Sequence, residues 1–270
     1  MIPLGIIASA HQFVGGQRFT FNTHTYAESV TNPSDATDTL TISLTAGNEG
    51  DLAILWVQST NFASTSMPIQ YYPYGWVPIE SEGFDTGNEF RVNFCWRILT
   101  AADASSGSVT TGEAEVHTAY VLFFTPTEAL SALDHFDWEY QQTAGNPALQ
   151  TQNITTSGGS APAIAIGAKL AYANNSTAQQ VTFTTDPFDA TFNNSLGEII
   201  GGATSTYEQA TRIGYAIQNS TLSDLSFDSG DDVAAQQQMS FHMTPADKAL
   251  SSSGLWFGYT GGQISFTQGR

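Results

Sequence analysis

Base is what this chain has least of. Seven lysines and arginines stand against 25 aspartates and glutamates in 270 residues, a formal net charge of −18, and the only lysines are Lys169 and Lys248. DNA, RNA and anionic lipid surfaces are bound by clustered Lys and Arg that replace counterions, so nucleic acid and membrane are excluded as expected partners. Charged residues of both signs make up only 12% of the chain, about half the usual fraction. A salt-adapted surface would be dense in carboxylates, and this one is sparse. Its cover is instead Ser, Thr, Asn, Gln and Gly. Cysteine is nearly absent too: Cys95 stands alone, which rules out an intramolecular disulfide and leaves stability to packing. Within EFRVNFCWRIL it reads as a small buried side chain. Helical periodicity is scarce. Only PTEALSAL (126–133) and PADKAL (245–250) have the Pro start and early acid of a short helix.

What is present is alternation of period two. TLTISLTA (39–46) sets Leu40, Ile42 and Leu44 against Thr and Ser, and FRVNFCWRIL sets Phe90, Val92, Phe94, Trp96 and Ile98 against Arg, Asn and Cys. These eight residues are expected to line one core. DLAILWVQ (51–58) is continuously apolar, as a central strand is. AYVLFF, PAIAIGAKLAY, QVTFTT, TRIGYAIQ, MSFHM and LWFGYT complete the set, separated by Gly, Asn, Asp and Ser clusters. The expected class is all-β, one domain over residues 17–270 preceded by an arm at 1–16.

That arm, MIPLGIIASAHQFVGG, carries a small-residue triplet, Ala8-Ser9-Ala10, of the kind that ends a secretory leader. No Lys or Arg precedes Arg18, however, and Pro3 and Gly5 break the apolar run, so neither a leader nor a membrane span is expected. Aliphatic side chains gain about 1.5–3 kcal/mol each on full burial. Ile2, Leu4, Ile6 and Ile7 are therefore candidate docking residues, carried to a neighbouring protein over the Gly15-Gly16 joint. The alternative is an extra edge strand on their own domain.

Two stretches follow one order. GDLAILWV, a turn-rich segment with PYGW, EFRVNFCWRI, an Asp-bearing loop and AYVLFF end at Thr125-Pro126. APAIAIGAKL, DPFDATFNN, ATRIGYAIQ, DSGDD and MSFHM end at Thr244-Pro245. This predicts two weakly similar halves contributing strands to one pair of sheets. The succession Gly50-Asp51-Leu52, Pro73-Tyr74-Gly75-Trp76, Thr100-Ala101-Ala102-Asp103 and the strands around them resembles a β-sandwich module of bacteriophage virion proteins and some bacterial surface proteins. The resemblance spans roughly residues 38–245, and the small Pro/Gly-bearing arm resembles the openings of phage structural proteins. It implies a jelly-roll-like antiparallel β-sandwich in a virus particle.

Residues that carry chemistry are few. His11, His24, His117, His135 and His242 form no close His-x-His pair, no G-x-S-x-G signature occurs, and no cofactor or metal is expected. Glu113 and Glu115, like Glu80 and Glu82, would share a strand face as a glycosidase pair must, although alternating acids more often mark a solvent face. Asp228-Ser229-Gly230-Asp231-Asp232 has oxygen ligands for a hard cation without an EF-hand register, and a polar hairpin explains it as well. QYYPYGWVP offers Tyr71, Tyr72 and Tyr74 as a ligand or partner surface, with Trp76 expected to pack inward. The reading that results is a non-enzymatic structural component of a phage virion (tail, fibre or head decoration) contacting other capsid or tail proteins. A homo-oligomer is expected, a trimer by analogy with fibres and spikes. The alternative is a carbohydrate-binding adhesion module for a host-surface glycan, and an enzyme trimming that glycan ranks third.

Overall fold

The computed structural model describes residues 18–28, 38–61, 67–85, 89–130, 132–143, 152–154, 161–174, 194–203, 207–227, 235–245, 256–260 and 263–267. The unbroken apolar run becomes β3 (Leu52–Asn61), all ten of whose residues are buried. Side chains alternate across a strand, so Leu52, Ile54 and Trp56 enter one buried cluster while Ala53, Leu55 and Val57 enter another.

In the first half, β1 (Phe19–Glu28), β4 (Val77–Asp85), β5 (Glu89–Ile98) and β7 (Val116–Pro126) join β3 in an antiparallel sheet of order β1-β7-β3-β5-β4. Two short strands, β2 (Thr41–Ser43) and β6 (Ser108–Thr110), pair separately. The second half has β8 (Leu133–Thr143), β9 (Gln152–Ile154), β10 (Ala163–Asn174), β11 (Asn194–Ala203), β12 (Tyr207–Gln218), β13 (Leu225–Phe227) and β14 (Ala235–Pro245). Its large sheet is ordered β11-β12-β10-β14-β8, and β9 pairs with β13. A hairpin of β15 (Trp256–Thr260) and β16 (Gln263–Thr267) follows. Each half thus builds one large sheet by itself, the form in which the two halves contribute to the expected pair of sheets.

The inner cluster belongs to both large sheets. Trp56, Phe90, Phe94, Tyr120, Leu122 and Phe124 of the first meet Ile164, Ile166, Leu170, Ile213, Tyr215 and Met243 of the second. The rings of Trp56 and Phe94 meet edge-on with centroids 3.8 Å apart. The outer cluster holds Ile42, Leu44, Val109, Trp76, Val121 and Phe123, with Leu40 against it. The single core expected for Leu40, Ile42, Leu44, Phe90, Val92, Phe94, Trp96 and Ile98 is therefore two. β2 pairs with β6 rather than with the main sheet, and its apolar side chains join the cluster on the opposite face of β3 from those of β5.

One end of the inner layer is polar. Gln58, Thr60, Thr118, Gln209 and Thr211 are all fully buried. Thr60 Oγ1 donates to Gln209 Oε1, Thr211 Oγ1 donates to Gln58 Oε1 at 2.6 Å, Gln209 Nε2 reaches Thr118 Oγ1 at 2.9 Å, and the Thr118 and Thr211 hydroxyls lie 2.7 Å apart. At the opposite end Asn219 closes the pair, its side chain accepting from Phe19 N at 2.9 Å and donating to Phe19 O at 3.1 Å.

The GDL motif has a mechanical reason. Gly50 takes φ +86°, a left-handed conformation that suits glycine. The Asp51 carboxylate, 1% exposed, accepts from Asn48 N, Asn22 Nδ2 and Thr125 Oγ1 at 2.7–2.8 Å, tying β1 and β7 to the start of β3. Helix α1 (Ala101–Ser106) begins at a capping box in which Thr100 and Asp103 bond each other's backbone. The TAAD motif is that box, and α1 is the helix our periodicity reading missed. Among the described residues of 126–133 there is no helix: Pro126 ends β7, residues 127–130 are bends and coil, and β8 starts at Leu133. Of 245–250, Pro245 ends β14 and the rest lie outside the described residues. Among the described residues no helix is long and apolar enough to cross a membrane.

Trp56 is 0% exposed against a packed aromatic neighbour. Trp56→Ala should therefore lower the unfolding free energy by about 3–5 kcal/mol, read as a shift of the urea midpoint. A shift below about 1 kcal/mol would contradict a core built on β3.

Candidate functional site: the pinned aromatic loop

Pro73-Tyr74-Gly75-Trp76 is a tight turn. Trp76 N donates to Pro73 O at 3.0 Å and Gly75 has φ +80°, the type II arrangement that calls for glycine at its third position. Trp76 is 7% exposed in the outer cluster, inward as expected. The Arg97 guanidinium lies 5.9 Å from its ring centroid and pairs with Asp103 at 2.8 Å, so the turn, β5 and the α1 capping box are fastened together. The other flank is held by Arg91, whose Nε donates to Pro68 O at 2.7 Å and whose Nη1 donates to Ser81 Oγ at 3.1 Å.

Between these fastenings the tyrosines diverge. Tyr74 is fully exposed and Tyr71 37% exposed. Tyr72 is half-buried against the outer cluster, with Gln70 Nε2 3.2 Å from its hydroxyl, and burial pushes its phenol pKa up. Ile69 at 58% and Val77 at 45% extend the exposed apolar strip. Tyr71 sits against Gly112, where a Cβ would stand 2.7 Å from the tyrosine's own. The two line a shallow recess, partly open to solvent, with Val57, Asn93, Cys95 and Thr111. The surface predicted from Tyr71, Tyr72 and Tyr74 is thus two exposed rings and one inward one. Burial also raises the Cys95 thiol well above the range in which thiolate forms.

The acidic pairs fare differently. Glu113 is exposed while Glu115 is 2% exposed, its N–H bonded to Asn61 Oδ1 at 3.0 Å, so they share no face. The chain here is a bridge at Ala114 and a bend before β7, not the strand that the spacing assumed. Glu80 and Glu82 do lie on one side of edge strand β4, opposite Phe94 and Val92, both half-buried. Burial and then the Glu80 charge raise the Glu82 pKa. Neither lines the recess. Among the described residues no group of three or more His, Cys, Asp or Glu side chains is placed to hold a metal. The arm residues Ile2, Leu4, Ile6 and Ile7 and the loop Asp228–Asp232 lie outside the described residues.

Sequence reasoning missed one pair altogether. Ser59 Oγ lies 2.9 Å from His117 Nδ1, and His117 Nε2 lies 2.9 Å from the Asp38 carbonyl. A carbonyl only accepts, so Nε2 carries the proton and Nδ1 accepts from Ser59. This is the order of a nucleophile, a base and an orienting group, yet Ser59 is 4% and His117 0% exposed, which closes the pair to substrate. Its only signal was register: Ser59 stands opposite His117 across β3 and β7.

No family model, no curated protein and no solved structure matches this chain, so the site stands on its own geometry.

Burial lowers the His117 pKa from its ordinary 6.5, outweighing the Asp38 contact that raises it. As pH falls through 6.5 the unfolded chain binds a proton that the folded chain resists, so stability should decline from about pH 6.5 downward. His117→Gln should flatten that decline between about pH 7.5 and 5.5 in urea titrations, and an unchanged slope would assign it elsewhere.

Proposed function

We propose that the chain is a non-enzymatic structural component of a phage virion, a jelly-roll-like β-sandwich that packs against neighbouring capsid or tail proteins. The observation that carries this reading is the loop: Ile69, Tyr71, Tyr74 and Val77 stand exposed on a segment pinned at both flanks. An apolar strip held rigid in a polar surface is the form of a protein contact. The resemblance of the GDL, P-x-G-W and TAAD motifs to virion modules gives the partner its class, and the near absence of base fits a contact with protein rather than with nucleic acid. On this reading residues 1–16 dock through Ile2, Leu4, Ile6 and Ile7 into a neighbouring virion protein, and the chain acts as a homo-oligomer, a trimer by analogy with fibres and spikes.

A second reading, a module binding a host-surface glycan, draws on the same two exposed rings, because tyrosine faces stack on sugar rings as well as on apolar side chains. A glycan array separates the two. Specific retention of sugar that Tyr74→Ala abolishes would establish the second reading.

Two outcomes are expected of particle incorporation, followed by quantitative mass spectrometry of purified particles. The double variant Tyr71→Ser/Tyr74→Ser should keep its thermal midpoint within a few degrees and lose incorporation by about tenfold or more, as removal of central aromatic anchors does. Deleting residues 2–14 should likewise reduce incorporation. If the truncated protein loses thermal stability but enters particles normally, the arm packs on its own domain and does not dock.

A further inference from the structure

We infer that the chain is an internal duplication of one seven-strand unit, and that the inner face of each large sheet is an interface whose partner is the second copy of that unit. Strand for strand, β1–β7 and β8–β14 repeat one topology, including the separate small pairs β2-β6 and β9-β13. The irregularities repeat as well. β1 is bulged at Asn22, three residues after Phe19, and β8 at Phe136, three residues after Leu133. β4 is bulged directly after Pro78, opposite Cys95, and β11 directly after Ser195, opposite Gly214. Register makes Cys95 and Gly214 the same position, since Trp96 and Tyr215 stand across from Ile54 and Ile166. Even a fastening recurs: Thr125 donates to Asp51 at the start of β3, and Thr244, the residue before the other terminal proline, donates to Pro162 O at the start of β10. Bulges are placed features rather than accidents. Two bulges at matching sites, and a threonine before each terminal proline that bonds the start of the central strand, point to one unit used twice.

The same register shows how the copies tell each other apart. Gln209 and Thr211 of the second unit occupy the positions of Phe90 and Val92 in the first, and Leu170 occupies that of Gln58. In the observed pairing Gln58, Thr60 and Thr118 find Gln209 and Thr211 across the layer. A first unit in place of the second would set those three buried polar groups against Phe90 and Val92, which offer none of the side-chain hydrogen bonds that Gln209 and Thr211 make. The polar end of the layer therefore selects unlike units over like ones, and it does so within one chain because β7 ends at Pro126 and β8 begins at Leu133, only a short connection apart.

The test opens that connection in the full chain. A protease site is inserted between Glu128 and Ala129, both exposed, and the folded protein is cut. The halves should stay together through gel filtration. Cut protein carrying two different tags on its first half is then unfolded in urea and refolded, with the uncut chain as the refolding control. Each tagged first half should recover a second half, with unlike pairs exceeding pairs of the two tags by at least about tenfold. Halves that separate on cutting, or that fail to re-pair while the uncut chain refolds, would show that the halves are not mutually completing units. Like pairs as abundant as unlike ones would overturn the role of the polar residues. The variant Gln58→Leu, which gives the first unit the second unit's residue, should narrow the preference, and an unchanged ratio would count against the same role.

Discussion

Burial of β3 on both faces is the constraint from which the rest of the architecture follows. A strand with one wet face can sit on a single core, but Leu52 to Val57 present apolar side chains in both directions, so two covers are required. The second large sheet supplies one. The β2-β6 pair, Trp76 and Tyr72 supply the other. The aromatic loop is thus a consequence of the central strand: its Trp76 end completes the outer cover, and its remaining side chains are left to face solvent.

How that loop is held explains a feature of the composition. The chain has seven basic residues, and two of them, Arg91 and Arg97, are engaged around residues 67–77. A guanidinium reaches a carbonyl, a hydroxyl, a carboxylate and a ring face in fixed geometry, which a flexible ammonium does not. Scarce base is used here as a fastener, and both guanidinium groups sit on the sheet beside the exposed strip.

Much of the fold was legible because it rests on period-two alternation. The central position of DLAILWV, the inward Trp76 and the shared order of the two halves all follow from where apolar residues fall. What alternation does not encode is which sheet covers which face. That is why Ile42 and Phe90, identical in pattern, lie in different clusters. The Ser59–His117 pair was invisible because its partners are 58 residues apart and meet only through register. Glu113 and Glu115 were misread because a bend replaced the assumed strand, and α1 was passed over because six residues are too few to show a helical period, although its T-x-x-D cap was in plain view. The tyrosines fell between: the sequence marked the cluster, but only the turn at Gly75 decides which ring points out.

Asn219 bonds both backbone groups of Phe19 across 200 positions of sequence, and this has a consequence for how the molecule is made. On a ribosome adding residues at roughly 5–20 per second, the first strand waits ten seconds or more for the residue that joins it to the second sheet. During that wait the inner face of the first sheet has no cover, and a long-range all-β topology already closes slowly. The interval after the first half emerges and before the second is complete is therefore the window in which a holdase would have most to protect.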